Sequence, residues 1–179
     1  MSLKFVATTL SGLEEVLERE LIELGAVNTR ILTRAVSFEG DTILSYKANL
    51  YCRTALLILV ELNTGVVNSP DDIYEMVMDV IWERFFRPYD TFCVNAVVNQ
   101  CDFIDNSLFA AMKVKDAVVD QLRETFGIRP SVDKEFPNVI INVHITKNKM
   151  SLYINTSGLP LFKRGYKNYA VASPLNEVL

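Results

Sequence analysis

Residues 3–25 read LKFVATTLSGLEEVLERELIELG, and they set the fold class that we expect for the chain. The first eight of these residues are mostly apolar or β-branched, which predicts a short strand. Ser11-Gly12-Leu13-Glu14 has the pattern of a capping box, in which Ser11 accepts the Glu14 N–H and Glu14 reaches back. An apolar stripe at helical spacing follows and Gly25 ends it; its members are Leu13, Val16, Leu17, Leu21 and Leu24.

The same alternation of strand and helix continues through the first third of the chain. Residues 30–38 are typical of a strand that Glu39-Gly40 closes, and Asp41 can cap a helix that reaches about Tyr51. Residues 53–62 form the most strand-like run. The predicted order is therefore βαβαβ, and a small open sheet backed by two helices buries these apolar faces.

The remainder of the chain predicts an α-β-α-β-β order. Ser69-Pro70 is a strong helix start, because serine caps a helix and proline suits its first position. The other expected elements are a strand at 91–99, a helix opened by Asn106 and ended after Phe126 by Gly127, and a β-hairpin from 139–146 and 150–156. Both parts together predict an α+β protein.

Composition limits the classes of protein that the chain can represent. The longest apolar run, residues 55–60, is far shorter than a membrane span, and the first residues are too polar for a secretory signal. Three cysteines without CxxC spacing indicate reduced thiols, and with His144 as the single histidine a zinc site is hard to assemble. We expect a cytoplasmic protein with no membrane segment and no metal.

The charge is unevenly distributed along the sequence. The net charge is −4, yet residues 1–112 carry eight basic and sixteen acidic side chains, whereas residues 113–179 carry ten basic and six acidic ones. Such an asymmetry indicates an interaction surface on the basic side, and a positive surface supplies the electrostatic attraction that RNA or DNA binding needs. Chance segregation of charge is the alternative explanation.

One lysine breaks the apolar pattern of the helix that begins at Asn106. Lys113 points away from the predicted buried face, but Lys115 falls near its centre. Either Lys115 reaches water or an ion-pair partner, or it lines a groove for an anionic ligand. The predicted buried face consists of Leu108, Ala111, Val118, Val119, Leu122 and Phe126.

A second candidate segment is the arm at 161–167. It interleaves Phe162 and Tyr166 with three cations, Lys163, Arg164 and Lys167. Cations neutralise phosphates and aromatic rings stack on unpaired bases, so the arm suits RNA. A linker whose aromatic side chains pack on the rest of the protein explains the pattern equally well.

Nothing in these 179 residues predicts catalysis. His144 lies within an alternating apolar strand and reads as an ordinary sheet histidine, and there is no phosphate loop or nucleophile–base pair. The last residues, 174–179, are typical of the first turn of a helix and no stop signal follows them. We therefore expect the chain to be the front part of something larger.

Taken in order, several short motifs resemble one family. The resemblance extends over nearly the whole chain, and its motifs are Gly12-Leu13-Glu14-Glu15, Gly40-Asp41-Thr42, Ala111-Met112-Lys113-Val114-Lys115-Asp116-Ala117, Arg129-Pro130-Ser131-Val132-Asp133, and Ser157-Gly158 with Lys163-Arg164-Gly165-Tyr166-Lys167. The chain resembles the N-terminal region of THUMP-domain methyltransferases that modify guanine N2 in 23S ribosomal RNA. Older naming calls such proteins N6-adenine DNA methylases.

The resemblance implies a ferredoxin-like subdomain at 1–67, a THUMP RNA-binding domain at 68–157, and a basic linker at 158–179. It implies that structured RNA, 23S rRNA in the first instance, is the partner. Together with the residue patterns it gives an expected RNA-facing set: Lys113, Lys115, Arg129, Lys163, Arg164, Tyr166 and Lys167.

In that family an S-adenosylmethionine-dependent catalytic domain follows, and neither its cofactor loop nor its Asn-Pro-Pro-Tyr motif is present in this sequence. We expect this chain alone to bind no cofactor and to catalyse nothing. Two alternatives stay open: an RNA-docking module of a tRNA-modifying enzyme, and a protein–protein interaction domain without a nucleic-acid role.

Overall fold

The computed structural model describes residues 2–165 together with Asn176 and Val178. The strands are β1 (Leu3–Thr8), β2 (Val27–Leu32), β3 (Ala35–Gly40), β4 (Leu57–Val66), β5 (Phe92–Asn99), β6 (Val139–Thr146) and β7 (Lys149–Asn155). The helices are α1 (Glu14–Glu23), α2 (Thr42–Tyr51), α3 (Pro70–Met78) and α4 (Ser107–Phe126). Short 3-10 turns occur at Trp82–Arg84 and Leu161–Lys163. The α+β class predicted from the sequence is confirmed.

The chain divides into two units. The first contains residues 1–60 and the residues from Asn155 onward, and the second contains Glu61–Ile154. The division falls inside β4, whose residues after Val60 belong to the second unit. The second unit is thus inserted, in sequence, between two parts of the first.

The first unit is built on strands in the order β2-β3-β1-β4, and each neighbouring pair is antiparallel. Helices α1 and α2 supply its other layer, with Leu17, Leu21, Leu44 and Ala48 buried. These side chains pack against the sheet in one cluster whose largest rings are Phe5 and Phe38, stacked with 5.1 Å between centroids. Burial of this apolar face is the main force that holds the unit together.

The second unit has its own apolar core. Strand β6 pairs with β5 in parallel and with β7 antiparallel, so the odd-numbered residues of β6 all point to one side. That side is covered by α3 and α4, and Trp82 lies fully buried among them with its indole N–H donating to the Val77 carbonyl at 2.9 Å. The predicted α-β-α-β-β order agrees with these elements.

One predicted strand is wrong. The sequence indicated a single strand at 30–38, but the chain forms the hairpin β2–β3, with Leu32 opposite Ala35. The turn between them needs a positive φ at Arg34, which has φ 58°. Glycine or asparagine normally marks such a position, so the sequence carried no turn signal there.

The predicted capping box at the start of α1 is also wrong in its serine half. Leu13 occupies the cap position and no side chain accepts a hydrogen bond there. Glu14 does reach back, accepting the Gly12 N–H at 2.7 Å, and its other oxygen accepts the Arg34 N–H at 3.0 Å. Glu14 therefore fixes the β2–β3 turn as well as the helix start.

The remaining local signals are confirmed. Asp41 accepts the Leu44 N–H at the start of α2, and Ser69 accepts the Asp72 N–H at the start of α3. Asn106 caps α4, and Gly127 ends it with a φ of 67°. Each of these signals works within four residues of the helix end, which is why sequence alone identifies it.

A small polar network attaches the segment that follows β7 to the rest of the first unit. The Asn49 amide on α2 donates to Thr156 Oγ1 at 2.9 Å and accepts from Ser157 Oγ at 2.6 Å. Ser157 Oγ also accepts the Ile58 N–H at 2.8 Å, and Thr156 Oγ1 donates to the Ile58 carbonyl at 2.8 Å. Four residues after Ser157, Leu161 is buried in the apolar cluster that contains Phe5 and Phe38. Residues 155–163 are therefore part of the first unit's fold.

Removing the Ser157 hydroxyl should destabilise the first unit. Ser157→Ala leaves the buried Ile58 N–H and the side-chain Oδ1 of Asn49 without their partner, which costs about 1–3 kcal/mol. Thermal unfolding followed by far-ultraviolet circular dichroism measures this. Ser37→Ala is the matched control, because Ser37 makes a single exposed bond of 3.3 Å to Arg30. Equal midpoints for both variants would contradict the structural role of Ser157.

Gly40 lies where a larger residue does not fit. A Cβ at this position would stand 2.2 Å from Leu44 Cδ2 and 3.1 Å from Leu44 Cβ, and Leu44 is buried. Gly40→Ala should lower the unfolding free energy by about 1–3 kcal/mol through overpacking. Gly65→Ala should cost less in the same denaturant titration, because its Cβ meets only the flexible Met76 sulfur at 3.3 Å. The reverse order would count against this packing argument.

Candidate nucleic-acid interface

Two of the predicted RNA-facing lysines lie on α4, and both have acidic partners. Lys113 Nζ is 3.5 Å from an Asp71 carboxylate oxygen, and Lys115 Nζ is 2.7 Å from one of Asp116. Each lysine side chain is about one-third exposed, so both amines stay within reach of solvent. Exposed pairs of this kind are weak, and a phosphate can compete for either lysine.

The buried face of α4 differs from the predicted one. Val118, Val119 and Leu122 are buried as expected, but Leu108 is 61% exposed, and Ala110, Val114 and Ala117 are buried instead. The face is rotated toward Val114, so Lys115 lies beside it rather than at its centre. Of the two explanations for Lys115, the structure shows the ion-paired lysine; a role in binding an anion stays a prediction.

The surface around these lysines is largely acidic. The Tyr74 hydroxyl donates to Asp120 at 3.0 Å, and Asp120 also pairs with Arg123 at 3.4 Å. Burial raises the pKa of Tyr74, and this hydrogen bond and the nearby carboxylates, including Glu124, raise it further. Carboxylates therefore offset the lysines of α4, and this helical surface has no large excess of positive charge.

Arg129 has a different environment. It follows the left-handed Gly127 that ends α4, and its side chain is exposed. Within the described residues it forms no salt bridge. The last residue of α4, Phe126, is on the order of 16 Å from Lys115 along the helix axis, since a helix rises about 1.5 Å per residue, and Arg129 lies beyond that end of the helix. The structure thus separates Arg129 from the two lysines of α4.

Two cations of the arm have different surroundings. Lys163 is exposed. The Arg164 guanidinium donates to the Cys52 carbonyl at 2.9 Å and to the Asn49 carbonyl, both at the C-terminal end of α2. A cation suits that position, because free carbonyls and the negative end of the helix dipole meet there. Tyr166 and Lys167, the other predicted members of the arm, lie outside the described residues.

His144 lies on β6 next to two polar side chains. Its Nε2 is 3.4 Å from both Asn99 Nδ2 and Thr146 Oγ1. Desolvation lowers the pKa of His144, so the ring is neutral at physiological pH and Nε2 can accept these protons. This is the arrangement of a sheet histidine with its polar neighbours in place.

The described residues show no arrangement suited to catalysis. An open depression of about 570 Å³ in the first unit is lined by Asp41 and Lys47, but Asp41 already serves as a helix cap. Burial raises the pKa of the Cys52 thiol to about 12, so it stays protonated and unreactive.

The part of the chain that the structure describes has no cluster of three or more His, Cys, Asp or Glu that could hold a metal ion. In that same part, no helix combines the length and the apolar character that crossing a membrane requires.

Sequence reasoning missed two exposed aromatic side chains of the second unit. Tyr89 is 85% exposed and Phe136 is 82% exposed. Each lies in a turn-rich segment with a neighbouring cation, Arg87-Pro88-Tyr89-Asp90 and Lys134-Glu135-Phe136-Pro137. An aromatic residue next to proline and a cation in a predicted loop is the signal that could have identified them.

Comparison with known families agrees with this architecture. The THUMP domain model matches residues 67–155, and the model of the RlmL ferredoxin-like domain matches residues 4–59. The chain is therefore a ferredoxin-like domain joined to a THUMP domain, as the sequence motifs predicted.

Similarity to individual proteins places the chain in one family. It is 40% identical over 176 residues to the ribosomal RNA large subunit methyltransferase K/L of Cellvibrio japonicus, covering 98% of this chain and 23% of that protein. It is 37% identical over 177 residues to the same enzyme of Syntrophotalea carbinolica, covering 99% of this chain and 25% of that protein. The chain belongs to this family and corresponds to its N-terminal ferredoxin-like and THUMP region. It spans about a quarter of the length of these curated relatives.

A solved structure has the same fold. The crystal structure of a predicted N6-adenine-specific DNA methylase from Listeria monocytogenes superposes with a TM-score of 0.85 at 26% sequence identity. The match covers 99% of this chain and 46% of that one. The architecture described above is therefore found within a longer methylase.

The contacts of Arg164 and the exposure of Lys163 predict that their removal has unequal effects on stability. Arg164→Ala deletes the hydrogen bonds to the end of α2 and should cost about 1.5–3 kcal/mol of unfolding free energy. Lys163→Ala, at an exposed site, should change it by less than about 0.5 kcal/mol. Guanidinium titration followed by circular dichroism measures both. If Arg164→Ala is as stable as the unsubstituted chain, Arg164 has no structural role and its side chain is available to a ligand.

Proposed function

We propose that the chain is an RNA-docking module of an S-adenosylmethionine-dependent methyltransferase that modifies guanine N2 in 23S ribosomal RNA. The observation that carries the proposal is the match to ribosomal RNA large subunit methyltransferases over 98–99% of the chain. The THUMP match over 67–155 supports the docking role. An rRNA substrate also implies a cytoplasmic location.

The module's contribution is to position RNA, not to react with it. It holds structured RNA so that one base, flipped out of its stack, reaches a catalytic domain. When bound to that domain, S-adenosylmethionine supplies the methyl group. The cofactor loop and the catalytic motif are not among these 179 residues, so the chemistry lies outside them.

We propose that contacts to phosphate provide most of the affinity. The candidate residues are Lys113, Lys115, Arg129 and Lys163, together with Tyr166 and Lys167 of the arm. Arg164 is assigned a structural role, because its guanidinium already binds two carbonyl groups. Phosphate contacts release counterions, so affinity should fall steeply with salt and depend little on sequence.

We retain 1–67 and 68–157 as the functional domains, with 158–179 leading into a further domain. One refinement comes from the contacts of Leu161 and Arg164, both of which are made with the first unit. The first part of the proposed linker is thus an anchored segment. We infer that it gives whatever follows a fixed starting point on the first unit.

A specific observation favours a second candidate function, protein–protein interaction. Helix α2 exposes Ile43, Tyr46, Leu50 and Tyr51, four large side chains that are each more than half accessible. Such an apolar surface on a single helix is typical of an interaction site. Sizing chromatography over a range of protein concentrations tests for self-association. A monomer at all concentrations would remove the simplest form of this alternative.

Fluorescence anisotropy with a labelled 23S rRNA fragment tests the RNA-docking function. Arg129→Ala should weaken binding and reduce the slope of log Kd against log salt by about 0.7–1. Lys115→Ala should have a smaller effect, because the lysine must first leave Asp116. Lys47→Ala, at an exposed site of the first unit, is the control.

The alternatives predict other outcomes in the same assay. Affinity that does not change with salt would contradict phosphate-dominated docking. Tighter binding of transfer RNA than of the 23S fragment would instead favour the module of a tRNA-modifying enzyme.

A further inference from the structure

Tyr89 and Phe136 have the highest exposure of the large hydrophobic side chains that the structure describes. Both belong to the second unit and neither contributes to its core. A single exposed ring is ordinary on a protein surface, but two such rings on neighbouring loops offer flat faces that a planar ligand can cover.

Backbone pairing brings the two rings to the same end of the sheet. Tyr89 precedes β5 by three residues, and Phe136 precedes β6 by three. The two strands are parallel and in register from Phe92 and Val139 onward, so their starts lie side by side. Asn138 Oδ1 accepts both the Thr91 N–H at 2.9 Å and the Thr91 hydroxyl at 3.0 Å, which joins the loops directly.

Both loops are also fixed internally. Asp133 Oδ1 accepts the N–H groups of Glu135 and Phe136 at 2.8 and 3.0 Å. Asp133 N–H donates in turn to the Phe92 carbonyl at 3.0 Å. In the other loop, Asp90 Oδ2 accepts the Arg87 N–H at 2.8 Å. Because the backbone on either side of each ring is already ordered, little further entropy is lost when a ligand binds.

The cations near the two rings differ from those on the helices. Four basic residues lie in these loops and form no salt bridge within the described part of the chain: Arg84, Arg87, Arg129 and Lys134. In contrast, Lys113, Lys115 and Arg123 of α4 all have carboxylate partners.

Acidic residues are present in the same loops. Two of the carboxylates, Asp90 and Asp133, accept backbone N–H groups of their own loops, while Glu83 and Glu135 are exposed. Four acids balance the four cations in formal charge, so attraction to phosphate alone is weak here. Aromatic stacking must therefore supply most of the affinity of any nucleotide bound at these loops.

We propose that residues 83–90 and 129–138, which we name the loop edge, bind unpaired nucleotides by stacking on Tyr89 and Phe136. Arg87 and Arg129 then contact the adjoining phosphates or stack on a base. The proposal rests on the proposed RNA-docking function and adds the form of RNA that this surface selects. Paired bases are stacked inside a duplex and offer no free face, so the loop edge discriminates against duplex RNA.

Binding of two RNA probes tests the proposal with the 179-residue chain. One probe is a labelled hairpin with an unpaired loop, and the other is a blunt duplex of the same composition. Tyr89→Ala and Phe136→Ala should each weaken hairpin binding by about 5- to 100-fold, the range found for lost base–aromatic stacking. Duplex binding should change less than twofold. Tyr89→Phe should retain hairpin affinity, because it keeps the ring.

Tyr46→Ala is the matched control, since Tyr46 is an aromatic residue 69% exposed in the first unit. It should leave binding of both probes unchanged. Because Tyr89 and Phe136 lie outside the core, the unfolding midpoints of their variants should match the unsubstituted chain, which separates a binding defect from misfolding.

The outcomes distinguish this inference from the function on which it rests. If the chain binds neither probe, the RNA-docking function fails and the loop edge fails with it. If it binds RNA and the Tyr89 and Phe136 variants bind the hairpin as tightly, the docking function survives and the loop-edge proposal is overturned. Equal losses on hairpin and duplex would also overturn it, because selection for unpaired nucleotides would be absent.

Discussion

The return of the chain into the first unit after β7 depends on the side-chain amide of Asn49. From one turn of α2 it holds Thr156 and Ser157, which in turn hold the backbone of Ile58. These bonds join segments about one hundred residues apart, so the chain leaves the first unit within β4 and re-enters it at Asn155. The two parts of the chain that flank the inserted unit, up to Val60 and from Asn155, thereby belong to one core of the first unit. The Ser157-Gly158 motif was one of the sequence features that resembled the family, and the hydrogen bonds of Ser157 give its serine a structural role.

The second unit has two surfaces that carry basic residues, helix α4 and the loop edge, and they differ in how those residues are paired. Lys113 and Lys115 of α4 form salt bridges with Asp71 and Asp116, so these pairs contribute little net positive charge. At the loop edge the cations form no salt bridge among the described residues and accompany exposed rings, while carboxylates of the same loops balance their formal charge. The net charge of −4 is therefore compatible with RNA binding, because local arrangement rather than total charge determines what phosphate and bases encounter.

Local chemistry explains how far the sequence could predict the fold. Asp41, Ser69 and Gly127 were identified correctly because a helix end is decided by its nearest residues. The β2–β3 turn was missed because Arg34 adopts a left-handed φ without glycine. The contacts of Arg164 could not be predicted either, since they join residues 112 and 115 positions apart. Tyr89 and Phe136 were overlooked because their exposure depends on the tertiary fold; the local signal, an aromatic residue beside proline and a cation, does not by itself predict exposure.

Ultraviolet cross-linking of the chain to fragments of 23S rRNA, with cross-linked peptides identified by mass spectrometry, tests the central claim most directly. The account predicts cross-links at Tyr89, Phe136 and their neighbouring residues in the second unit. It predicts none on the acidic helix α1. Cross-links confined to residues 1–60, or their complete absence under conditions where a known rRNA-binding protein is captured, would contradict it.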